Sequence, residues 1–284
     1  MISVIITTYD RPNHLRAALL ALSRQSMKPD ELIVADDGSD DNTRKVIKNF
    51  TMMFKLPVAH VWQEHKEFRA ARSRNNALRI TRGGFIVFLD QDGLAHSNWL
   101  AYHIALSMPG SFNIGGLLML DKKETLSISE KEILSGEFES AHSSWKEKRL
   151  AKLQRKSSFY AFLRKLRIDI KNKPKLDSGN FAAYKTDLEK VNGFDENYVG
   201  WGQEDDNLGR RLFLAGMKPR PVITSAKVTH IWHSPDESAA QKWNEGGNIP
   251  YYERKRIKAY CRNGLNKPDG ADNDDVVVTR YNFE

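Results

Sequence analysis

Cysteine is almost absent from this chain of 284 residues: Cys261 stands alone. No intrachain disulfide framework can form, no cysteine-based zinc site can be built, and nothing in the thiol content points to an oxidising compartment. Long apolar runs are missing too. No window approaches the roughly 20 apolar residues that a membrane-spanning helix needs. The opening residues, MISVIITTYD, lack a basic flank and turn polar after a short apolar run, so they are expected to be part of a fold, not a leader or an anchor. No internal repeat is visible. What is present is an ordinary mixture of 40% apolar and 28% charged residues, which excludes disorder over the whole length. Lysine and arginine outnumber aspartate and glutamate 44 to 36, for a net charge of +8. That balance favours an anionic partner and leaves nucleic acid, lipid headgroups and phosphorylated substrates open.

The first 120 residues alternate strand-like and helix-like patterns. Residues 3–8 form a short β-branched run, and Pro12 then opens a segment with Leu15, Ala18, Leu19 and Leu22 at helical spacing. Strands are expected at 31–35, 57–62 and 85–89, and helices at 43–50 and 70–80. Repeated βα units of this size predict an α/β fold with a mostly parallel sheet covered by helices on both faces. In such sheets ligands sit at the carboxyl ends of the strands. Thr7-Thr8-Tyr9-Asp10, Asp36-Asp37 and Asp90-Gln91-Asp92 all fall there. The composition shifts after Asp121. Residues 122–175 lose their β-branched runs and, from Lys146 to Lys175, become strongly basic, which suggests an inserted helical arm. The globular pattern resumes over 176–264, and a polar tail covers 265–284, irregular until Val276.

Three constellations carry chemistry. Asp90-Gln91-Asp92 follows an apolar strand, and two carboxylates one residue apart on a turn can face one hard cation, Mg²⁺ or Mn²⁺. Gly200-Trp201-Gly202-Gln203-Glu204-Asp205-Asp206 precedes a helical pattern. Acids in a first helical turn favour the helix dipole, but capping does not require three of them behind Gly-Trp-Gly. Trp201 offers a flat apolar face for a sugar, and a carboxylate beside it can act as a general base. His230-Ile231-Trp232-His233 is a candidate source of metal ligands, although strand alternation puts His230 with Trp232, so both histidines need not reach one ion.

These residues together resemble the family 2 inverting glycosyltransferases, whose nucleotide-sugar-binding fold is called GT-A. Val4 to Arg11, Asp36 to Ser39, Arg72 to Ala77 and Asp90 to Asp92 carry the resemblance in the first half. Ser178 to Phe181, Asn192 to Glu196, Trp201 to Asp206 and His233 are similar to the galactosyltransferase and N-acetylgalactosaminyltransferase type. The resemblance implies a single GT-A domain that moves a hexose or N-acetylhexosamine from a UDP-sugar to a saccharide or lipid-linked acceptor, with Mn²⁺ or Mg²⁺. It implies Thr7, Tyr9 and Arg11 against the nucleotide, Asp37 and Asp36 on the uracil, and Arg72 near the diphosphate or base. Asp90, Gln91 and Asp92 would line the donor site, with Asp92, His233 and Asp90 at the metal. Asp205 would be the base, Glu204 would hold the acceptor sugar, and Asn180 and Trp201 would shape the sugar pockets. Gln203 departs from the pattern, where a glycine or small residue is common.

The basic arm lies outside the resemblance. A solvated helical face is one account of it. Its stripe of Phe159, Phe162, Leu163 and Leu166, flanked by Lys156, Arg164, Lys165 and Arg167, also suits an anionic membrane surface, a polysaccharide or a second subunit. The expected location is cytoplasmic, with residues 146–175 reaching the inner face of the membrane. The alternatives are a nucleic-acid-binding protein and an inactive nucleotide-sugar-binding module. The helical spacing of the arm's aromatics speaks against the first, so no nucleic-acid partner is expected. The intact acids at 90, 92, 204 and 205 speak against the second.

Overall fold

The β-branched run after Met1 does form a buried strand, and the predicted alternation follows it. In a computed structural model that describes residues 1–140, 142–168, 173–234, 246–254, 256–267 and 275–282, strand β1 (Ile2–Thr8) leads into helix α1 (Pro12–Ser23). Then come β2 (Glu31–Asp36), α2 (Asp41–Phe54), β3 (Val58–Gln63), α3 (Ala70–Ile80) and β4 (Phe85–Asp90). The chain continues through β5 (Gly93–Ala95), α4 (Trp99–Ala105), β6 (Ser111–Ile114), β7 (Gly116–Met119), α5 (Lys122–Leu126), α6 (Glu130–Ser135) and the long helix α7 (Ser144–Lys165). It closes with β8 (Asn180–Tyr184), α8 (Lys185–Lys190), α9 (Glu204–Leu214), β9 (Lys218–Pro221), β10 (Lys227–His230), α10 (Asn248–Tyr252) and β11 (Val276–Tyr281).

The main sheet has the order β11-β3-β2-β1-β4-β8-β6-β9. Its centre, β3-β2-β1-β4, is parallel. β8 runs antiparallel to both β4 and β6, while β9 is parallel to β6. Period-two alternation sorts the core. Val4 and Ile6 face α1, α2 and Trp99 of α4, whereas Ile5 and Phe88 face α3 and α9. With both faces covered, strands such as Glu31-Leu32-Ile33-Val34-Ala35-Asp36 are buried throughout. The fold is thus the expected α/β sandwich with a parallel centre. A second sheet, β5-β10-β7, stands beside it.

The arm is docked. Helix α7 buries Leu150, Ser157, Ala161 and Arg164, which recur on one side of the helix, against β9 and β7. Gln154 fixes it by donating to the Pro221 carbonyl at 3.0 Å and accepting from Ile223 N at 2.7 Å. The stripe picked out in the sequence is therefore not the packed face. Phe159, Phe162 and Leu166 are 57%, 55% and 56% exposed. Arg164, expected as a surface cation, is instead buried with its guanidinium 4.4 Å from the Phe213 ring centroid. The arm's Asp169 and Lys171 lie outside the described residues, as do Asp269, Asp272 and Asp274 of the tail. The run Val276-Val277-Val278-Thr279 becomes part of β11, which caps the free edge of β3 in antiparallel register.

Asn180, expected in a sugar pocket, is instead a structural cross-link. Its side-chain oxygen accepts from Trp99 Nε1 at 2.8 Å and from His103 Nε2 at 2.9 Å. Its amide donates to the Gly116 and Ala226 carbonyls, both at 2.9 Å. All four of its hydrogen-bonding positions are used, it is 1% exposed, and it ties β8 of the main sheet to the start of β7 and the approach to β10. Burial pushes the His103 imidazole down to about 4, so it stays neutral and donates here. Replacing Asn180 by Ala removes four buried hydrogen bonds at once and leaves Trp99 Nε1 and His103 Nε2 without this acceptor. We expect urea denaturation followed by tryptophan fluorescence to show a loss of about 3 kcal/mol or more, well beyond a typical single substitution.

Candidate active site

The carboxyl ends of β1 and β4 and the start of α9 converge on one cleft. On its first side stands Asp92, buried in the turn after β4. His230, the last residue of β10, brings Nε2 to 3.5 Å from one Asp92 oxygen, and His233 brings Nε2 to 3.2 Å from the other. The strand stops at His230, so alternation no longer governs the chain, and it curls back far enough for His233 to rejoin the same carboxylate. The three donor atoms lie within 4.8 Å of one another. His233 Nδ1 donates to the Ser234 carbonyl at 3.1 Å, which leaves Nε2 for Asp92 or for a metal. Burial alone would raise the Asp92 carboxyl, but the His233 hydrogen bond and the His230 and His233 charges hold it below its ordinary value. A carboxylate kept ionised beside two imidazoles is a set of donors that fits a divalent cation. His230 and His233 both join this group, where strand alternation alone leaves open whether both reach one ion. Asp90 does not belong to it.

Asp90 turns instead to Arg74. The Arg74 guanidinium, 3% exposed, donates to Asp90 at 2.9 Å, to Glu204 at 3.0 Å and to Thr7 Oγ1 at 3.0 Å. Glu204 thus lies in an internal ion pair. Asp205, next along α9, accepts weakly from Ser178 N at 3.3 Å and has no cation of its own among the described residues. Burial raises the Asp205 carboxyl well above its ordinary value, and repulsion from Glu204, Asp177 and Asp206 adds to the effect. Asp90 is pushed up to about 6 by burial, against the pull of Arg74. Asp177, which the sequence did not flag, faces the same space and is raised chiefly by burial.

Two cavities meet here. The smaller, about 150 Å³, is lined by Asp92, Gly93, Met119, Gly179 and His230. The larger, about 550 Å³, holds Glu204 and Asp205 together with Trp201, Phe68 and Tyr160. Asp90, Leu117 and Asp177 line both. Gln203, also on the larger cavity, sits at φ +71°, a left-handed conformation that costs a side-chain-bearing residue about 1 kcal/mol or more. Its amide oxygen is buried without a hydrogen-bond partner among the described residues.

The residues predicted at the nucleotide end divide. Tyr9, just past the carboxyl end of β1, is stacked on His65 with ring centroids 4.2 Å apart and planes 9° from parallel. Gln91 accepts from Thr8 Oγ1 at 2.5 Å and donates to the Tyr9 carbonyl at 3.2 Å, so it clamps the end of β1. Arg11 precedes α1, and its charge reaches Asp92. Asp36 is wholly buried and satisfied by Ser39 at 2.6 Å and His60 at 2.7 Å, so it shapes the turn and presents nothing to a ligand. Asp37 is nearly as enclosed, accepting from Gln63 and from Arg69 N. Arg72 faces away from the carboxylates and pairs with Asp275 at the start of the C-terminal strand. The arginine that reaches the cleft is Arg74, two residues further on.

Residues 3–116 match the model of glycosyl transferase family 2, and residues 157–234 match that of the N-terminal domain of galactosyltransferase. The chain is 28% identical over 235 residues to a validoxylamine A glucosyltransferase of Streptomyces hygroscopicus subsp. limoneus, covering 76% of this chain and 49% of that protein. It is 32% identical over 114 residues to a UDP-Glc:alpha-D-GlcNAc-diphosphoundecaprenol beta-1,3-glucosyltransferase of Escherichia coli, covering 40% of this chain and 43% of that one. The chain therefore spans about half the length of these relatives. A mannosyltransferase from Pyrobaculum calidifontis, solved with GDP-Man and Mn²⁺, shares the fold with a TM-score of 0.55 at 17% identity, over 84% of this chain and 59% of that one.

Asp205 yields a pH-dependent prediction. Its folded carboxyl titrates above its ordinary value, so ionising it opposes folding. The cost is absent below the ordinary carboxylate range, grows as pH rises, and is complete above the raised value. Asp205→Asn is therefore expected to raise the melting temperature at about pH 8 but not near pH 4. A gain of about 2–4 °C would correspond to about 1 kcal/mol in a chain of this size. Scanning calorimetry across that range checks the sign.

Proposed function

We propose, from the match of residues 3–116 to glycosyl transferase family 2, that the chain is an inverting, metal-dependent glycosyltransferase that moves a hexose or N-acetylhexosamine from a UDP-sugar to a saccharide or lipid-linked saccharide. The observation that carries this is the pair of cavities joined at Asp90 and Asp177, with a cation-binding group on one side and an ionisable base on the other. The smaller side suits the diphosphate end of the donor and the larger side the acceptor. Its relatives' substrates, a UDP-sugar and a diphosphate-linked lipid in one case, support the same division.

Asp92, His230 and His233 would hold the metal, and one carboxylate with two imidazoles suits Mn²⁺ better than Mg²⁺. Bound there, the ion would supply positive charge beside the departing diphosphate. Asp205 accepts the proton of the acceptor hydroxyl. The acceptor oxygen forms its bond to the anomeric carbon as the bond to the donor phosphate oxygen breaks, and that electron pair leaves with UDP. One displacement inverts the anomeric centre. The raised basicity of Asp205 fits this part, because a stronger base takes a hydroxyl proton more readily near neutral pH. Arg74 holds Glu204 and Asp90 in place around it.

Thermal stabilisation by UDP is expected only with Mn²⁺ present, and Asp92→Ala or His230→Ala should abolish it. Asp205→Asn should bind UDP and Mn²⁺ normally yet lower kcat by about 10²-fold or more, the scale of a positioned base. Stabilisation by UDP alone, or an unaffected kcat, would count against the respective assignment.

The exposed Phe159 and Phe162 on α7 and Leu166 just after it, with Lys165 and Arg167 beside them, support peripheral contact with an anionic membrane. No helix among the described residues is long and apolar enough to cross one. Each cation near such a surface contributes about 1 kcal/mol, screened over about 8 Å. Sedimentation with anionic but not neutral vesicles is expected at low salt, and it should be lost on Lys165→Glu with Arg167→Glu. Wild-type protein left in the supernatant would dispose of the membrane contact.

A further inference from the structure

The larger cavity is lined by side chains of both signs. Its acids are Asp90, Asp177, Glu204, Asp205 and Asp206. Its cations are Arg74 and three lysines contributed by α7 and the segment that follows it: Lys156, Lys173 and Lys175. Most of these groups are matched internally. Arg74 is engaged by Asp90 and Glu204, and Lys175 pairs with Asp206 at 2.7 Å. Lys156 and Lys173 are different. Neither has a carboxylate within ion-pair distance among the described residues. The Lys173 ammonium lies 5.4 Å from the ring centroid of Tyr160, which itself lines the cavity. Lys156 comes from the stretch between the two segments matched by the family models, one residue before the second begins.

A neutral sugar needs hydrogen-bonding groups and a flat apolar face, and Trp201, Phe68 and Tyr160 already offer the faces. Two unmatched ammoniums on the same cavity supply what a neutral sugar does not use. An anion beside Asp205 and Asp177 would be repelled, whereas an anion at Lys156 and Lys173 would be attracted. The lysines and the acids of the lining would therefore orient an acceptor that carries a negative group apart from its reacting hydroxyl.

We propose that this cavity takes an anionic saccharide, with Lys156 and Lys173 holding its carboxylate or phosphate while its hydroxyl faces Asp205. This rests on the larger cavity being the acceptor site of the proposed transfer. The shared chemistry is a singly or doubly charged oxyanion next to a sugar ring, and it has two sources, a uronic acid or a sugar phosphate.

Isothermal titration of the full chain distinguishes them. Three probes are added with Mn²⁺ and UDP present and again without them: a glucuronic acid-terminated disaccharide, N-acetylglucosamine 1-phosphate and neutral N-acetyllactosamine. At least one anionic probe should bind about tenfold more tightly than the neutral one, as expected for one to two charge-assisted hydrogen bonds. The preferred probe identifies the source. The preference should shrink at about 0.5 M salt and vanish in Lys156→Met with Lys173→Met, which keeps the alkyl bulk. Lys156→Arg with Lys173→Arg should retain it. Equal binding of neutral and anionic probes, binding by none of them, or a preference that survives the methionine pair overturns the anion site. Titration of UDP with Mn²⁺ in the same protein tests the donor half separately. Its failure would remove the transferase reading, while the probes added alone would still decide whether the lysines select an anion.

Discussion

The Arg74 guanidinium is the point on which the cleft depends. It projects from α3 into the gap between the end of β4 and the start of α9, and it touches a residue of each and one of β1. Without it, Asp90, Glu204 and Asp205 would stand close together with no buried counter-charge. Such a group of acids would either take up protons or push its supporting elements apart. With it, two of the three have a fixed partner, and the third is left free to change its protonation state. The Asp90 pair is part-exposed, so its worth lies in fixing orientation more than in net stability.

The carboxylates around this arginine differ because their neighbours differ. Asp92 faces two imidazoles and is held low, which suits the metal-binding part proposed for it. Asp205 faces other acids in a desolvated spot and is held high, which suits the proton-accepting part proposed for it. Environments that drive like groups apart are how one cleft divides cation binding from proton transfer. Asp90 lies between them on the shared wall of both cavities.

Helix α7 determines what reaches the larger cavity. Because it is anchored through Gln154 and its small buried face, its outer and lateral sides are fixed relative to Asp205. One side carries exposed aromatics outward. Another brings Leu153, Lys156 and Tyr160 to the cavity lining. A segment outside the first family match thus contributes directly to the space where the acceptor is proposed to bind.

Much of the frame was legible in the residues. The strands of β-branched residues, the helix opened by Pro12 and the acidic turn after Phe85-Ile86-Val87-Phe88-Leu89 all depend on local spacing and burial, which a linear pattern records. The acids of α9 were visible for the same reason. What the pattern could not decide was direction. Arg72 and Arg74 are about 200° apart around α3, and only the way that helix packs on the sheet turned Arg74 to the carboxylates and Arg72 to the C-terminal strand. Asn180 has the polarity of a sugar ligand, yet helix α4 and the second sheet, both distant from it in sequence, together use all four of its hydrogen-bonding positions. His230 meets Asp92 because β10 pairs it with Gly93, and His233 joins them because β10 ends at His230, a termination set by its partners β5 and β7 and not by its own residues. By itself, then, the sequence determined the elements and the chemical inventory of the cleft, because helical and strand periods are local. Only the tertiary structure decided which groups meet, because hydrogen bonds and ion pairs between distant segments depend on packing that no local period encodes.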